Sequence, residues 1–258
     1  NSGPTQPADG ALLTWGDRSD DVFASSVDLS PTTSAGDAPS LTSTVLGNRG
    51  GIVFDYNGGT NGDNYPIPDN AILNTSTFTE KSFAAVFRTG NDVSGLQIVY
   101  EQGGGTNGYQ ISIKDGTAFA FAWSTNAEWV NGDDQSINLG TVQTNTSYIV
   151  IASHEQSTLT WEANINGGTV TQSAGAAGTM NSHGGDANIG EEDGTVDPVT
   201  FANNPTTTNN FGGTIAELIS WNNSLSGTDF TNIYAFLSDK CFNVPSLLAN
   251  IELSTLNY

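Results

Sequence analysis

Carboxylate and carboxamide side chains are concentrated in two short segments of this sequence. They are Asp55, Asn57 and Asp63 around a Gly-rich turn, and Glu191, Asp193 and Asp197 in a long polar loop. Ca²⁺ prefers oxygen ligands of this kind, carried on flexible turns. Acidic side chains this close together repel one another unless a cation or solvent screens them. Either segment is therefore a candidate site for a structural or ligand-bridging Ca²⁺ ion, although neither has the spacing of an EF-hand loop.

Aromatic side chains in polar loops are the second candidate chemistry. Trp129 lies in a loop with Asn131 and Asp133, and Tyr65 lies between an asparagine and a proline. An exposed ring beside hydrogen-bonding side chains is the usual composition of a small-molecule site. These four residues are therefore predicted to bind a ligand such as a glycan, with an anchoring role for Trp129 in its own loop as the alternative. Three other tryptophans are predicted to be core residues: Trp15, Trp161 and Trp221.

Carboxylate pairs of the kind that cleave glycosidic bonds are not evident. A retaining glycosidase holds two carboxyl groups about 5–5.5 Å apart, which on one strand requires acids at positions i and i+2. Glu162 is alone on its predicted strand, and residues 191–193 lie in a Gly-rich turn. His154 and His183 are too few for a multi-histidine zinc site and are predicted to be structural or solvated. The sequence therefore predicts a protein that is not an enzyme.

The charge balance limits the classes of partner. Six basic residues face 27 acidic ones, which gives a formal net charge of −21. Such a surface repels nucleic-acid phosphates and anionic lipid headgroups, so neither is expected as a partner. It suits a secreted or cell-surface protein in salty surroundings, where ions screen the self-repulsion. The alternative to a Ca²⁺ site in the two acidic segments is that their carboxylates only keep the protein soluble.

Short strands are expected to position these residues. Apolar and polar residues alternate in 109–114, 117–123 and 158–165, which is the period of a strand with one buried face. Turn residues separate these segments at hairpin spacing, and a pattern of this kind is typical of a sandwich or barrel. In 117–123 the aromatic residues share one face and the alanines share the other.

Three further segments are continuously apolar. Residues 82–87, 96–100 and 148–152 are predicted to be strands buried on both faces. One helix is predicted near the C-terminus, where Ser226 and Asp229 form an acidic variant of the capping box. The apolar residues after it recur at helical spacing and predict a stripe facing a sheet: Phe230, Ile233, Tyr234 and Leu237.

The chain divides into three parts by composition. Residues 1–10 are polar and contain two prolines, so they are predicted to be a linker. Residues 11–241 are predicted to form one domain, because β-sandwiches of this length are commonly single domains. Residues 242–258 have no clear period and are either an extension or the start of a following domain. The single cysteine, Cys241, excludes a disulfide framework within this chain.

The segment 211–226 carries a family resemblance. Its residues Phe211, Gly213, Ile215 and Glu217 fit an F-x-G-x-I-x-E pattern, and a Y-x-x-L-x-x-K pattern follows at 234–240. In this order they resemble the closing signature of laminin-G/concanavalin A-like domains. The resemblance implies an all-β, two-sheet antiparallel jelly-roll sandwich with one short C-terminal helix. It also implies a structural role for Glu217, whose charge would tie neighbouring segments together.

Upstream motifs extend the resemblance over most of the chain. The segment 15–19 resembles the W-x-D-x-S opening of large secreted proteins of Bacteroidetes-type bacteria, and 52–55 resembles the strand that follows it. Tyr56 and Asn57 depart from the family, which usually has glycine there. We therefore expect a non-catalytic binding or adhesion module of a larger extracellular or cell-surface protein, engaging glycan or peptide with Ca²⁺ support. The alternatives are a polysaccharide-degrading enzyme of the same fold and a structural spacer.

Overall fold

Two antiparallel sheets and one helix make up the part of the chain that the computed structural model describes. The described residues are 10–11, 39–46, 49–55, 63–129, 134–185, 187–191, 196–202 and 209–242. In chain order their elements are β1 (Gly10–Ala11), β2 (Ser40–Leu46), β3 (Arg49–Phe54), β4 (Tyr65–Ile67), β5 (Glu80–Thr89), β6 (Leu96–Gly104), β7 (Asn107–Lys114), β8 (Thr117–Ser124), β9 (Asp134–Thr141), β10 (Ser147–Glu155), β11 (Thr160–Ile165), β12 (Thr171–Gln172), β13 (Ala187–Ile189), β14 (Gly213–Trp221) and α1 (Gly227–Phe242).

The strands form a sheet of eight and a sheet of six. The eight-stranded sheet has the order β1-β2-β3-β14-β5-β10-β11-β12, and the six-stranded sheet has the order β4-β13-β6-β7-β8-β9. Consecutive strands β6 to β9 are hairpin neighbours, whereas β14, the last strand in chain order, lies between β3 and β5. The predicted all-β sandwich of the jelly-roll type is confirmed.

The main core lies between the two sheets. Alternate residues of β5 face it, among them Phe83 and Phe87, and Tyr109 faces it from β7. The Phe83 and Tyr109 ring centroids are 5.2 Å apart. Trp161 is fully buried in the same cluster, as the sequence predicted. Burying rings of this size against one another contributes a large part of the apolar stabilisation of a sandwich.

Helix α1 covers the outer face of the eight-stranded sheet. Phe230, Leu237 and Cys241 are buried there against Ala84 and Val86, which alternate with the inward-facing residues of β5. The helix therefore explains why 82–87 and 148–152 are apolar on both faces, as predicted. Among the described residues no helix is long and apolar enough to span a membrane.

The start of α1 has the predicted capping box. The Ser226 backbone N–H donates to the Asp229 carboxylate at 2.8 Å, and the Asp229 N–H donates to Ser226 Oγ at 3.3 Å. Near its other end, Lys240 forms an ion pair of 2.6 Å with Glu217 on β14. Glu217 thus joins a strand to the helix, which is a structural role of the kind that the resemblance implied.

Two details of the strand prediction differ from the structure. The strand expected to begin at residue 158 begins at Thr160, because 156–159 form a turn closed by Leu159 N–H donating to the Gln156 carbonyl at 3.0 Å. Leu159 has a φ of 57° and is exposed, so it is not part of the buried face. Trp221 is only partly buried, beneath α1, and Trp15 lies outside the described residues.

Candidate ligand-binding groove

The two aromatic residues predicted to contact a ligand lie in the core. Trp129 is 4% exposed and Tyr65 is 0% exposed. The Trp129 indole N–H donates to the Thr179 carbonyl at 3.0 Å, and its ring packs against His154. Tyr65 meets Phe54 edge to face, with centroids 6.2 Å apart. The prediction of an exposed aromatic platform is therefore wrong at both positions. The alternative for Trp129, an anchoring role in its own loop, agrees with its burial, whereas Tyr65 belongs to strand β4.

The remaining two predicted ligand-binding residues, Asn131 and Asp133, lie outside the described residues, as do the predicted metal ligands Asn57 and Asp193. The two histidines have structural surroundings. His154 is buried, with its Nδ1 2.8 Å from the Tyr109 hydroxyl and its Nε2 2.8 Å from the Gly178 carbonyl. His183 is buried, with Nδ1 3.0 Å from the Asn181 carbonyl. Burial lowers the pKa of both imidazoles, so they favour the neutral form.

Parts of the two predicted acidic segments meet at one end of the sandwich. The Asp55 backbone N–H donates to the Asp63 carboxylate at 2.9 Å. The next residue, Asn64, donates its side-chain amide to the Glu191 carboxylate, although the two are 127 residues apart. Gly190 lies against Phe54 and the Asp63 carbonyl so closely that a Cβ there would clash. The tertiary structure thus brings Glu191 to the loop that contains Asp63.

Asp197 belongs to a different part of the molecule. Its carboxylate is 3.3 Å from Lys114 Nζ on β7 and accepts the backbone N–H groups of Val199 and Thr200. Burial acts to raise the pKa of Asp197, but these backbone hydrogen bonds and the lysine hold the pKa below its usual value. Among the described residues, no three His, Cys, Asp or Glu side chains are grouped so that they could hold a metal ion. Asp197 therefore does not join the other predicted ligands.

A polar groove lies beside Asp55 at the end of the eight-stranded sheet. It has a volume of about 470 Å³, which is within the range of small-molecule sites. Its floor is formed by the end of β3, the end of β5 and the start of β14. The charged and carboxamide residues that line it, besides Asp55, are Arg88, Asn91, Asp92 and Asn145.

Hydrogen bonds hold the groove residues in place. The Asn145 side chain donates to the Asn91 side-chain oxygen at 2.9 Å, and its backbone N–H donates to the Gly90 carbonyl at 2.9 Å. Asn145 has a φ of 51°, a left-handed conformation that asparagine tolerates well. Gly90 lies 2.6 Å, measured from an ideal Cβ, from the Gly212 carbonyl, so only glycine fits where these two chain segments meet.

The charges of the groove are mixed. Hydrogen bonds from Ser94 lower the pKa of Asp92, so its carboxylate is ionised at neutral pH. Arg88 supplies a guanidinium group with planar donors, while Val53 supplies an apolar surface. The Phe54 ring faces the core and is only 1% exposed. Fixed donors and acceptors beside an apolar surface suit a ligand with several hydroxyl or amide groups.

Sequence reasoning missed four of these groove residues, although a signal was present. Arg88 ends the buried strand β5, and Asn145 precedes the buried strand β10. Because β5 and β10 are antiparallel neighbours with Ser147 opposite Arg88, their polar flanks must meet. The pairing of these strands had to be known before the flanks could be recognised as one site.

Comparison with known proteins places the fold in a recognisable class. No family model and no curated protein matches the chain. The receptor binding domain of botulinum neurotoxin D is similar, with a TM-score of 0.56 and 14% identity over 88% of this chain and 52% of that chain. The serotype G binding domain has a TM-score of 0.53 and 13% identity over 89% of this chain and 51% of that chain.

A CBM40 domain of the Ruminococcus gnavus IT-sialidase is also similar, with a TM-score of 0.48 and 14% identity over 71% of this chain and 96% of that chain. The chain spans about half the length of the toxin chains that it matches. Together with the sheet topology, the similarity to the toxin domains defines the class of this fold as an all-β jelly-roll sandwich.

Proposed function

We propose that this chain is a non-catalytic binding module that engages a glycan through the polar groove at the end of its eight-stranded sheet. The observation that carries the proposal is the set of polar side chains there, Arg88, Asn91, Asp92 and Asn145, beside the apolar Val53. Hydrogen bonds hold three of them in place: Asn145 bonds to Asn91, and Asp92 accepts the Ser94 N–H. Amide, carboxylate and guanidinium groups together complement the paired donor and acceptor character of sugar hydroxyls. A peptide, whose backbone offers the same groups, is the second class of ligand.

The wider setting is proposed on the same basis. The acidic surface, with its net charge of −21, supports a place outside the cell or on its surface, within a larger adhesion protein. The toxin domains of similar fold are described as binding domains, which agrees with a binding role. Neither observation names the ligand.

Calcium support is proposed at the end of the sandwich where Glu191 bonds to Asn64, the residue after Asp63. The described carboxylates alone do not complete a site, so Ca²⁺ there would require Asn57 or Asp193 in addition. In that arrangement Ca²⁺ would neutralise the repulsion between the two loops. The ion would stabilise the rim of the groove through Asp55, whose backbone bonds to Asp63.

The test of the groove is Asn145→Gly, which removes the side chain and keeps a left-handed backbone without strain. We expect the variant to bind the glycans that the wild type binds on an array about two- to tenfold more weakly, the range for one lost hydrogen bond. Asn166→Gly is the matched control, because Asn166 has the same conformation, with a φ of 50°, and lies outside the groove. Equal loss in both variants would contradict the groove as the binding site.

The test of calcium is a thermal melt in EDTA and in millimolar CaCl₂, with NaCl added to equal ionic strength. Binding to the folded state alone stabilises it by about 2.7 kcal/mol at a hundredfold excess over Kd. We expect the midpoint to rise by several degrees with Ca²⁺ and to return when EDTA is added. An unchanged midpoint would contradict calcium support while leaving the groove proposal intact.

The two alternatives predict different results in the same experiments. A polysaccharide-degrading enzyme would release reducing ends when the wild type is incubated with polysaccharide. A structural spacer would bind neither glycans nor peptides, with or without Ca²⁺. Either result would overturn the proposed function.

A further inference from the structure

The outer face of the six-stranded sheet has polar side chains that are buried and unbonded. Gln110 and Ser112 alternate on β7 with the core residues Ile111 and Ile113, so they lie on the opposite face of the sheet. Each is 1% exposed. Both amide atoms of Gln110 and the hydroxyl oxygen of Ser112 have no hydrogen-bond partner. Glu101, opposite Gln110 in the register of β6 and β7, is fully buried as well.

These buried polar atoms without hydrogen bonds destabilise the folded state. A buried polar atom with no partner loses its bonds to water and gains nothing in exchange. Native proteins contain few such atoms, and a cluster on one face requires an explanation. Leucine or valine at these two positions would remove the penalty without changing the strand. The polar identity of Gln110 and Ser112 is therefore not explained by the packing of this conformation.

Aromatic side chains lie directly beside the unbonded residues. Phe121 is opposite Gln110 in the register of β7 and β8. Phe121 and Trp123 form a stacked pair, with centroids 5.1 Å apart and planes at 17°. The Trp123 indole N–H donates to the Gly104 carbonyl at 2.8 Å, so the pair is fixed. An aromatic surface next to convergent polar groups is the composition of a ligand site.

A short segment, 196–202, covers this face and is here named the strap. Val196 is buried against Phe121 and Trp123, and the Phe201 ring centroid is 6.0 Å from that of Phe121. Phe201 is nonetheless 48% exposed and has a φ of 57°, which is unfavourable for an aromatic residue. The ion pair between Asp197 and Lys114 links the strap to β7.

We propose that the face beneath the strap is a second carbohydrate-binding site, which opens when the strap is displaced. The choice of a carbohydrate as the ligand rests on the proposed function, whereas the opening of the site is inferred from the contacts of the strap alone. The closed strap gives Phe121 and Trp123 apolar contacts but leaves Gln110 and Ser112 unbonded. A sugar would stack on the aromatic pair and supply hydroxyl groups to both polar side chains. The ligand thus competes with the strap for the same face, and the Asp197–Lys114 pair acts as the latch.

The first test measures opening without a ligand. Ser112→Cys places a thiol at a buried position on the face that the strap crosses, and its alkylation by iodoacetamide is followed by peptide mass spectrometry. Adding Lys114→Met removes the latch, and we expect the thiol to react about two- to fivefold faster, the range for a partly exposed ion pair. Cys241, on the buried face of α1, is the internal control. An unchanged rate at position 112, or an equal increase at Cys241, would overturn the latch.

The second test uses soluble neutral oligosaccharides as probes in the same double variant. We expect an oligosaccharide to protect the Ser112→Cys thiol from alkylation. In the protein without the cysteine, Lys114→Met should tighten oligosaccharide binding about two- to fivefold, since more of the protein is in the open state. Gln110→Leu should abolish that gain. If no oligosaccharide protects the thiol, a carbohydrate site on this face is excluded.

The groove variant separates the two proposals. Asn145→Gly should leave the protection of the Ser112→Cys thiol unchanged, because the groove and the covered face belong to different sheets. If Asn145→Gly removes all oligosaccharide binding and Gln110→Leu removes none, the covered face is refuted and the groove stands. The reverse result refutes the groove and supports the covered face.

Discussion

Lys81 is a fully buried amine at the edge of the main core. Its Nζ donates to the Ile72 carbonyl at 2.7 Å and to the Asn222 side-chain oxygen at 2.6 Å. It also lies 4.4 Å from the centroid of the Phe78 ring. Burial lowers the pKa of Lys81 to about 7. The amine therefore joins β5 to two loops as a hydrogen-bond donor, at the expense of its charge.

This lowered pKa makes the stability depend on pH. The unfolded amine titrates near 10.5, so between about pH 7 and that value the unfolded state binds more protons and stability rises with pH. The slope is at most about 1.4 kcal/mol per pH unit for one proton. We expect urea denaturation at pH 7, 8 and 9 to show this rise in the wild type and a flatter profile in Lys81→Met.

Lys240→Met is the control for Lys81→Met, because Lys240 is partly exposed and paired with Glu217. In Lys240→Met the free energy of unfolding should rise with pH as steeply as it does in the wild type. The series ends at pH 9, since burial raises the pKa of Tyr65, Tyr100 and Tyr109. Ionisation of these residues in the unfolded chain opposes the effect at higher pH. Equal slopes in all three proteins would show that Lys81 is not the group responsible.

At the scale of elements, α1 depends on its first turn. Ser226 and Asp229 satisfy each other's backbone N–H groups, and hydrogen bonds from Ser226 lower the pKa of Asp229. Because α1 covers the otherwise apolar outer faces of β5 and β10, fraying of the helix would uncover them. The cap therefore supports packing as well as helix formation.

Removal of the cap is expected to be measurable. Ser226→Ala should lower the free energy of unfolding by about 1 kcal/mol, the typical value for an N-cap. Asn232→Ala, at an exposed position within α1, should cause no loss, since alanine favours the helix more than asparagine does. Chemical denaturation of both variants is the measurement. Similar stabilities for the two variants would mean that the cap contributes little to holding α1 in place.

At the scale of the whole molecule, the charge of −21 sets the behaviour in salt. Six basic residues cannot pair with 27 acidic ones, so like charges repel one another in the folded state more than in the expanded chain. Salt at about 0.15 M shortens the range of this repulsion to about 8 Å. The folded protein should therefore gain stability when salt is added.

We expect the thermal midpoint to rise by a few degrees between low ionic strength and 0.15 M NaCl, since 1 kcal/mol corresponds to roughly 2–4 °C at this size. Potassium chloride should give the same rise as sodium chloride, because screening depends on ionic strength alone. A midpoint that falls with NaCl would show that attractive ion pairs outweigh the general repulsion.

Local sequence patterns predicted the strands and the helix, but they did not predict the residues of the candidate sites. The strand at 117–123, the capped helix and the strands buried on both faces were predictable because side-chain period and capping act within a few residues. Ligand contact was wrongly predicted for Trp129 and Tyr65, because whether an aromatic ring points into the core depends on residues distant in sequence. Thr179, the partner of Trp129, is 50 residues away.

By itself the sequence determined the all-β class, the late helix and the acidic surface, all of which arise from composition and short-range periodicity. Only the tertiary structure brought Glu191 to Asn64 and placed Asn145 beside Asn91. It alone placed the strap over Phe121 and Trp123, on the face that also carries Gln110 and Ser112. Each of these contacts depends on which strands are neighbours and on where a loop crosses a sheet. Residues far apart in sequence determine these contacts together, because the apolar face of a sheet must be buried against another element of the fold.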